Sequence, residues 1–122
     1  MMRLSLLELY DRGLKSFESL SSLERDVFVV NDLEIYYEME GDFVDYLLSG
    51  GHEVELAWLG ETLRRIGDLD SAGIITELRQ MDDSQREAMQ PLCDSYHSSR
   101  HKRWELLVKH LARQDAEIIE GI

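Results

Sequence analysis

Apolar residues recur at intervals of three and four positions along most of the chain, which is the spacing of one face of an α-helix. The clearest repeat is the 3-4-3 spacing of Leu56, Leu59, Leu63 and Ile66. The apolar run VFVV at 27–30 resembles a strand, but helical spacing continues on both sides of it. The pattern therefore predicts an all-α fold.

Start and stop signals predict where several helices begin and end. Ser21 precedes Glu24 by three residues, which is the spacing of a capping box at a helix start. Gly67 follows the 3-4-3 repeat at the position where a left-handed residue ends a helix. Pro91 has no amide hydrogen and clashes with the preceding turn, so we expect it to break or kink a helix that begins near Ser84 with a second capping-box spacing.

These signals predict a single compact multi-helix bundle of about six helices, one all-helical domain over residues 1–122. Its best-defined helices are expected near 22–39, 54–66, 71–80 and 99–119. An apolar content of 43% is sufficient for a packed core, so the acidity of the chain does not indicate disorder.

Cysteine content and hydropathy indicate the compartment. Cys93 is the only cysteine, which excludes an intramolecular disulfide and fits a reducing environment. No apolar run approaches the ~20 residues that a membrane span needs. We therefore expect a soluble, cytoplasmic protein.

Acidic residues are concentrated in one third of a chain whose formal net charge is -12. A field of this sign repels nucleic acid and anionic lipid and attracts cationic partners. The expected partner is a basic protein surface rather than a nucleic acid or a membrane. Between Arg25 and Arg64 there is no Lys or Arg, and the carboxylates in that interval are Asp26, Asp32, Glu34, Glu38, Glu40, Asp42, Asp45, Glu53, Glu55 and Glu61.

Glu34 and Glu38 stand four residues apart, on one face of the predicted helix. Like charges at this spacing destabilise a helix by a few tenths of a kcal/mol, so we expect replacement of both by lysine to preserve or raise the melting temperature. The simplest interpretation of the face is a solvated surface that keeps the protein in solution. The alternative is a surface that binds a basic partner.

The chain carries LSSLER at 20–25, EMEGDF at 38–43 and LRRIG at 63–67. In this order the segments resemble a small all-helical family catalogued mainly as a domain of unknown function, over roughly residues 20–119. The best-characterised type of that family is an acidic DNA-mimic protein. The usual signature of its first loop is Asn-Asn-Gly-Gly-Phe, of which the present chain keeps one glycine and the phenylalanine.

The resemblance implies an all-α bundle that acts as a decoy, with carboxylates where the phosphates of DNA would lie. Its partner would be a DNA-binding protein. A second class, which would also bind a basic partner through its acidic surface, is an immunity protein that covers a basic toxin nuclease. The residues we assign to partner binding are Glu34, Glu38, Glu40, Asp42 and Asp45.

A third class, a metal-dependent enzyme, would use Asp94, His97 and His101, whose spacing would align them on one helix face. Ser98 and Ser99 are expected to interrupt that face and to cap the last helix. No HExxH or EF-hand pattern occurs in the chain. We therefore expect no metal, no cofactor and no enzymatic activity.

One basic cluster, RHKR at 100–103, interrupts the acidic character of the chain. A protein with this net charge is a poor binder of nucleic acid, because phosphate contacts need a basic surface. We expect the cluster to pair with carboxylates of its own fold or of a second copy of the chain. The second case would be a homodimer.

Overall fold

Helices make up most of the chain, which confirms the all-α prediction. The computed structural model describes residues 1–40 and 43–119, with the backbone alone at residues 39 and 40. Within these residues there are seven helices and one short sheet. In chain order they are β1 (Met2–Ser5), α1 (Leu6–Lys15), α2 (Ser22–Glu40), α3 (Phe43–Leu48), α4 (Glu53–Ile66), α5 (Leu69–Arg79), α6 (Arg86–Ser98), α7 (Arg100–Arg113) and β2 (Ala116–Ile119).

The longest helix, α2, begins at the predicted capping box. The Glu24 amide donates to Ser21 Oγ (3.2 Å), and Glu24 Oε1 accepts from the Ser21 amide (2.8 Å). The run 27–30 continues the helix and is buried. Because α2 packs against α1, α3, α4 and α7, it lies at the centre of the apolar core.

Two other predicted boundaries are close to the observed ones. Helix α4 ends at Gly67, whose φ of 89° is the left-handed conformation that the sequence predicts. Helix α5 begins at Leu69, two residues before the predicted start, because Asp68 is its N-cap and accepts a hydrogen bond from the Ser71 amide (3.2 Å).

The last helix is shorter than predicted. It ends at Arg113, and Asp115 has a positive φ of 56° that turns the chain out of the helix. Residues 116–119 then form β2, which pairs in parallel with β1 in the register Leu4 with Ile118. The apolar residues predicted at the end of a long helix are therefore in a strand.

Of the two outcomes expected at Pro91, a break in the helix does not occur, since α6 runs through it from Arg86 to Ser98. Pro91 itself is exposed, whereas Met89, Cys93 and Tyr96 on either side of it are fully buried. Burial of apolar side chains along this face outweighs the loss of one backbone hydrogen bond.

The capping box before α6 is also displaced from its predicted position at Ser84 and Glu87. It is formed by Asp82, which accepts from the Ser84 amide (2.9 Å), and by Gln85, which accepts from the Asp82 amide (3.2 Å). Among the described helices, none has the length and apolar character of a membrane span.

Candidate functional site

Three carboxylates of α2 lie inside the protein rather than on its surface. Asp26 and Asp32 are only 4% and 6% exposed, and the Glu34 side chain is 15% exposed. A buried carboxylate needs hydrogen-bond donors or cations around it. Each of the three is met by side chains from other helices or from the turn before α4.

Asp26 joins α2 to α4 and α7. Its Oδ1 accepts hydrogen bonds from Trp58 Nε1 (2.8 Å), Thr62 Oγ1 (2.9 Å) and Arg65 Nη2 (2.6 Å), all on α4. On α7, His110 Nε2 lies 3.3 Å from the other oxygen, Oδ2. The carboxylate is therefore used to hold the helices together.

Asp32 accepts a buried hydrogen bond from the Tyr46 hydroxyl on α3 (2.6 Å). The ring of His52 stacks on Tyr46 with a centroid distance of 3.9 Å. Burial is the largest cause that acts on Asp32 and raises its pKa, against the lowering effects of the Tyr46 hydrogen bond and of His52. Burial and the neighbouring Asp32 likewise raise the pKa of Tyr46.

Glu34 forms the third internal contact, with an arginine and a histidine. Its Oε1 accepts from Arg103 Nη2 (2.6 Å), and its Oε2 lies 2.7 Å from His97 Nδ1. The Arg103 side chain is 1% exposed, and its guanidinium lies 3.7 Å from the centroid of the Tyr96 ring. Arg103 belongs to the basic cluster that was expected to pair within the fold, and for this residue the prediction is confirmed.

The five residues assigned to partner binding have different environments. Glu34 is largely buried, and its carboxylate contacts Arg103 and His97 inside the fold. Lysine at position 34 would place a second cation beside the buried Arg103, which argues against the expectation that this replacement preserves stability. Glu38 and Asp45 are exposed. The side chain of Glu40 and residue Asp42 lie outside the described residues.

A groove between the end of α3, the start of α4 and the turn before α6 has a volume of about 580 Å³. Its lining includes the apolar side chains Leu47, Leu48 and Met81. We call it the acidic groove because of the carboxylates in its lining, which are Asp45, Glu53, Asp82 and Asp83. Sequence reasoning named Glu53 as part of the acidic stretch without assigning it to partner binding, and it missed Asp82 and Asp83 as candidate site residues.

Local structure places these carboxylates. Gly50 and Gly51 both adopt positive φ (75° and 81°), which turns the chain from α3 into α4 and sets Glu53 at the groove. Asp82 is fixed by the capping box before α6. The Asp-Asp pair at 82–83 is visible in the sequence, but its proximity to Asp45 depends on the packing of α3 against α6.

The groove already holds one cationic side chain, that of Arg86. Its Nη1 lies 2.9 Å from Asp45 Oδ1 and its Nε lies 3.4 Å from Asp83 Oδ1. The hydrogen bond with Asp45 is the largest cause that raises the pKa of Arg86 above its ordinary value. Among the described residues that line the groove, four are carboxylates and one is an arginine.

A smaller cavity of about 180 Å³ adjoins the acidic groove and shares Leu47, Gly50, Glu53 and Met81 with it. His52 lines this second cavity. The second cavity is also lined by Arg79 and by the apolar side chains Leu56 and Leu78, so the two cavities together combine carboxylates with apolar surface. Such a surface suits a cationic side chain with an apolar stem.

The three residues of the metal hypothesis do not form a common face. Asp94 and His97 lie on α6, His101 lies on α7, and the helices are separated at Ser99. His97 contacts Glu34 instead. In the described part of the chain, no group of three or more His, Cys, Asp and Glu side chains is placed to hold a metal ion.

Comparison with protein-family models, with curated proteins and with solved structures finds no match to this chain. The geometry of the acidic groove and the composition of the surface are therefore the basis for a functional proposal.

Proposed function

We propose that this protein is a non-enzymatic interaction module that binds a basic surface of another protein through the acidic groove. The observation that supports the proposal is the excess of carboxylates in the described lining of the acidic groove, which contains four acids and one arginine. A net charge of -12 adds a long-range field that draws cationic partners towards the surface.

Burial of three acids of α2 narrows the set of carboxylates that can bind a partner. Asp26, Asp32 and Glu34 are engaged inside the fold, so the charge available to a partner comes from exposed residues on other elements. On α6, Glu87 and Asp94 are exposed and stand seven residues apart, which places them on one side of the helix that begins at the groove. The acidic surface thus extends beyond the groove.

Within this class we propose a DNA mimic in the cytoplasm, with a DNA-binding protein as its partner. Proteins that bind duplex DNA recognise much of it as charge geometry, because most of their contacts are to phosphate and sugar. Exposed carboxylates on a rigid helical scaffold offer the same kind of target. The resemblance at 20–25, 38–43 and 63–67 supports the same choice.

The test is capture of partners from a native lysate on immobilised protein, at low and at high salt, with identification by mass spectrometry. Wild type is compared with a groove variant and with a control variant that loses the same number of exposed acids elsewhere. The groove variant combines Asp45→Asn, Asp83→Asn and Glu53→Gln; the control combines Asp70→Asn, Asp115→Asn and Glu105→Gln.

We expect wild type and the control variant to capture a partner at low salt, and we expect the groove variant to lose it. Release of that partner by duplex DNA supports the DNA mimic, and inhibition of a captured nuclease supports an immunity protein instead. Equal loss by both variants would show that bulk charge alone is responsible. Capture of no basic protein by wild type would contradict the proposal.

A further inference from the structure

We infer that the acidic groove recognises arginine, and that Arg86 occupies the position of the partner's arginine until the partner binds. The inference rests on the proposed function and names the side chain that the partner contributes. We expect the acidic groove to be occupied by a segment of a basic protein in which an arginine lies next to apolar residues.

The first observation is the way in which the groove holds its own guanidinium. Arg86 contacts two carboxylates from different elements, Asp45 through Nη1 and Asp83 through Nε. A planar guanidinium can donate to two carboxylates at once from fixed directions, whereas an ammonium acts as a point charge. The arrangement therefore favours arginine over lysine.

The second observation is the shape and composition of the groove. A volume of about 580 Å³ is within the range of ligand pockets. Leu47, Leu48 and Met81 provide apolar surface for the methylene stem of an arginine and for an apolar neighbour. A lining that combines carboxylates with apolar side chains fits a ligand side chain that is apolar along its length and cationic at its end.

The third observation is the remaining charge. Glu53 and Asp82 also line the groove, and no cationic group among the described residues lies within ion-pair distance of either. Because the Arg86 side chain is 47% exposed, it can rotate into solvent without leaving a buried position. A second guanidinium entering the groove would then take its place on Asp45 and Asp83.

Because of this exchange, Arg86 competes with the partner's arginine for the same carboxylates. A ligand that takes the place of Arg86 can bind only the molecules in which Arg86 has rotated into solvent. Its apparent affinity is therefore reduced in proportion to the fraction of such molecules. Removal of Arg86 should therefore tighten binding of an arginine-bearing ligand. Exposed ion pairs are weak, so the gain should be about two- to fivefold.

The experiment uses two blocked peptides, one of alternating arginine and leucine and one of alternating lysine and leucine, titrated into the full chain at low salt. Dissociation constants come from isothermal calorimetry, and the site from chemical-shift changes in nuclear magnetic resonance spectra. The variants are Arg86→Ala, Asp83→Asn and, as a control, Arg113→Ala, which removes an exposed arginine outside the groove. Circular dichroism verifies that each variant is folded.

We expect the arginine peptide to bind about threefold or more tightly than the lysine peptide, since one guanidinium can donate to Asp45 and Asp83 at once from fixed directions, whereas an ammonium acts as a point charge. Arg86→Ala should tighten binding beyond the effect of Arg113→Ala, and Asp83→Asn should abolish the preference for arginine. Equal binding of both peptides, or no gain in Arg86→Ala beyond the control, would overturn the inference and leave the proposed function intact. The inference would also be overturned if neither peptide bound while the lysate experiment still captured a partner through the groove. If neither peptide bound and no partner was captured, the proposed function would be contradicted as well.

Discussion

Two acidic regions of this protein use the same functional group in opposite ways. On α2, Asp26, Asp32 and Glu34 are buried and accept hydrogen bonds from α3, α4 and α7. At the acidic groove, the carboxylates of Glu53 and Asp83 are exposed. The first region stabilises the fold, and the second leaves charge on the surface.

The density of acids in a sequence therefore does not measure the charge that a partner meets. The most acidic stretch of the chain contains the three carboxylates that are most engaged internally. Desolvation of a carboxylate is unfavourable, so burial of each one requires donors from other elements. Exposed carboxylates remain hydrated and have no such requirement, even where they contact a neighbour such as Arg86.

The largest expected effect comes from breaking a buried pair. Glu34→Ala should lower the free energy of unfolding by about 3–5 kcal/mol, because a buried Arg103 is left without its carboxylate. Glu38→Ala, one turn later and exposed, is the matched control and should change it by no more than about 0.5 kcal/mol. Urea unfolding measures both, and equal losses would contradict the contrast between the two positions.

The double variant Glu34→Ala, Arg103→Met shows whether charge or packing causes that loss. Removal of both charges should recover a large part of the stability, since an apolar side chain of similar length replaces the guanidinium. A double variant as unstable as Glu34→Ala alone would assign the effect to packing around Tyr96 rather than to the ion pair.

A smaller effect is expected at Tyr46. Tyr46→Phe removes the hydroxyl that donates to Asp32 and should lower the free energy of unfolding by about 1.5–3 kcal/mol. Tyr36→Phe is the comparison, because Tyr36 is only half-buried against the core. Thermal unfolding of the two variants measures the difference, and a Tyr46 variant as stable as wild type would show that the buried contact contributes nothing.

The pH dependence of stability should have opposite signs at Asp32 and Glu24. Burial raises the pKa of Asp32 above 3.8, so the native state binds this proton more tightly than the unfolded chain does. The stability that Asp32 contributes is full below that value and is lost as the pH rises through the native pKa. Relative to Asp32→Asn, wild type should therefore lose stability as the pH rises from about 4.

At Glu24, burial opposes ionisation, but hydrogen bonds from Ser21 and Arg12 outweigh it and lower the pKa below 4.5. Its contribution is present above that value and is lost as the pH falls through the native pKa. Relative to Glu24→Gln, wild type should lose stability on acidification. Urea unfolding over a pH series measures both differences, and the same sign at both residues would contradict the assignment.

The smallest effect on stability is expected at the acidic groove. Glu53→Gln should change the free energy of unfolding by no more than about 0.5 kcal/mol, because its carboxylate is exposed. Association with a basic partner should nevertheless slow, and the difference from wild type should shrink as salt screens the surface. Stopped-flow association at two salt concentrations measures this, and a large loss of stability would place Glu53 with the buried acids instead.

Predictions that depend on neighbouring residues agree best with the structure. The Ser21 and Glu24 capping box, the left-handed Gly67 and the helical period of the core follow from interactions within a few positions of the chain. Errors occur where distant segments compete with local preference. Helix α6 continues through Pro91, and residues 116–119 pair with β1 instead of extending α7.

The helical class, several helix ends and the sign of the net charge follow from the sequence alone, because periodicity, capping and net charge are properties of local or summed composition. Which carboxylates are buried and which line the groove depends on how the helices pack. Glu34 meets Arg103 across 69 positions of sequence, and Arg86 meets Asp45 across 41. Burial of a charge depends on partners that packing brings together, and no spacing along the chain encodes that proximity.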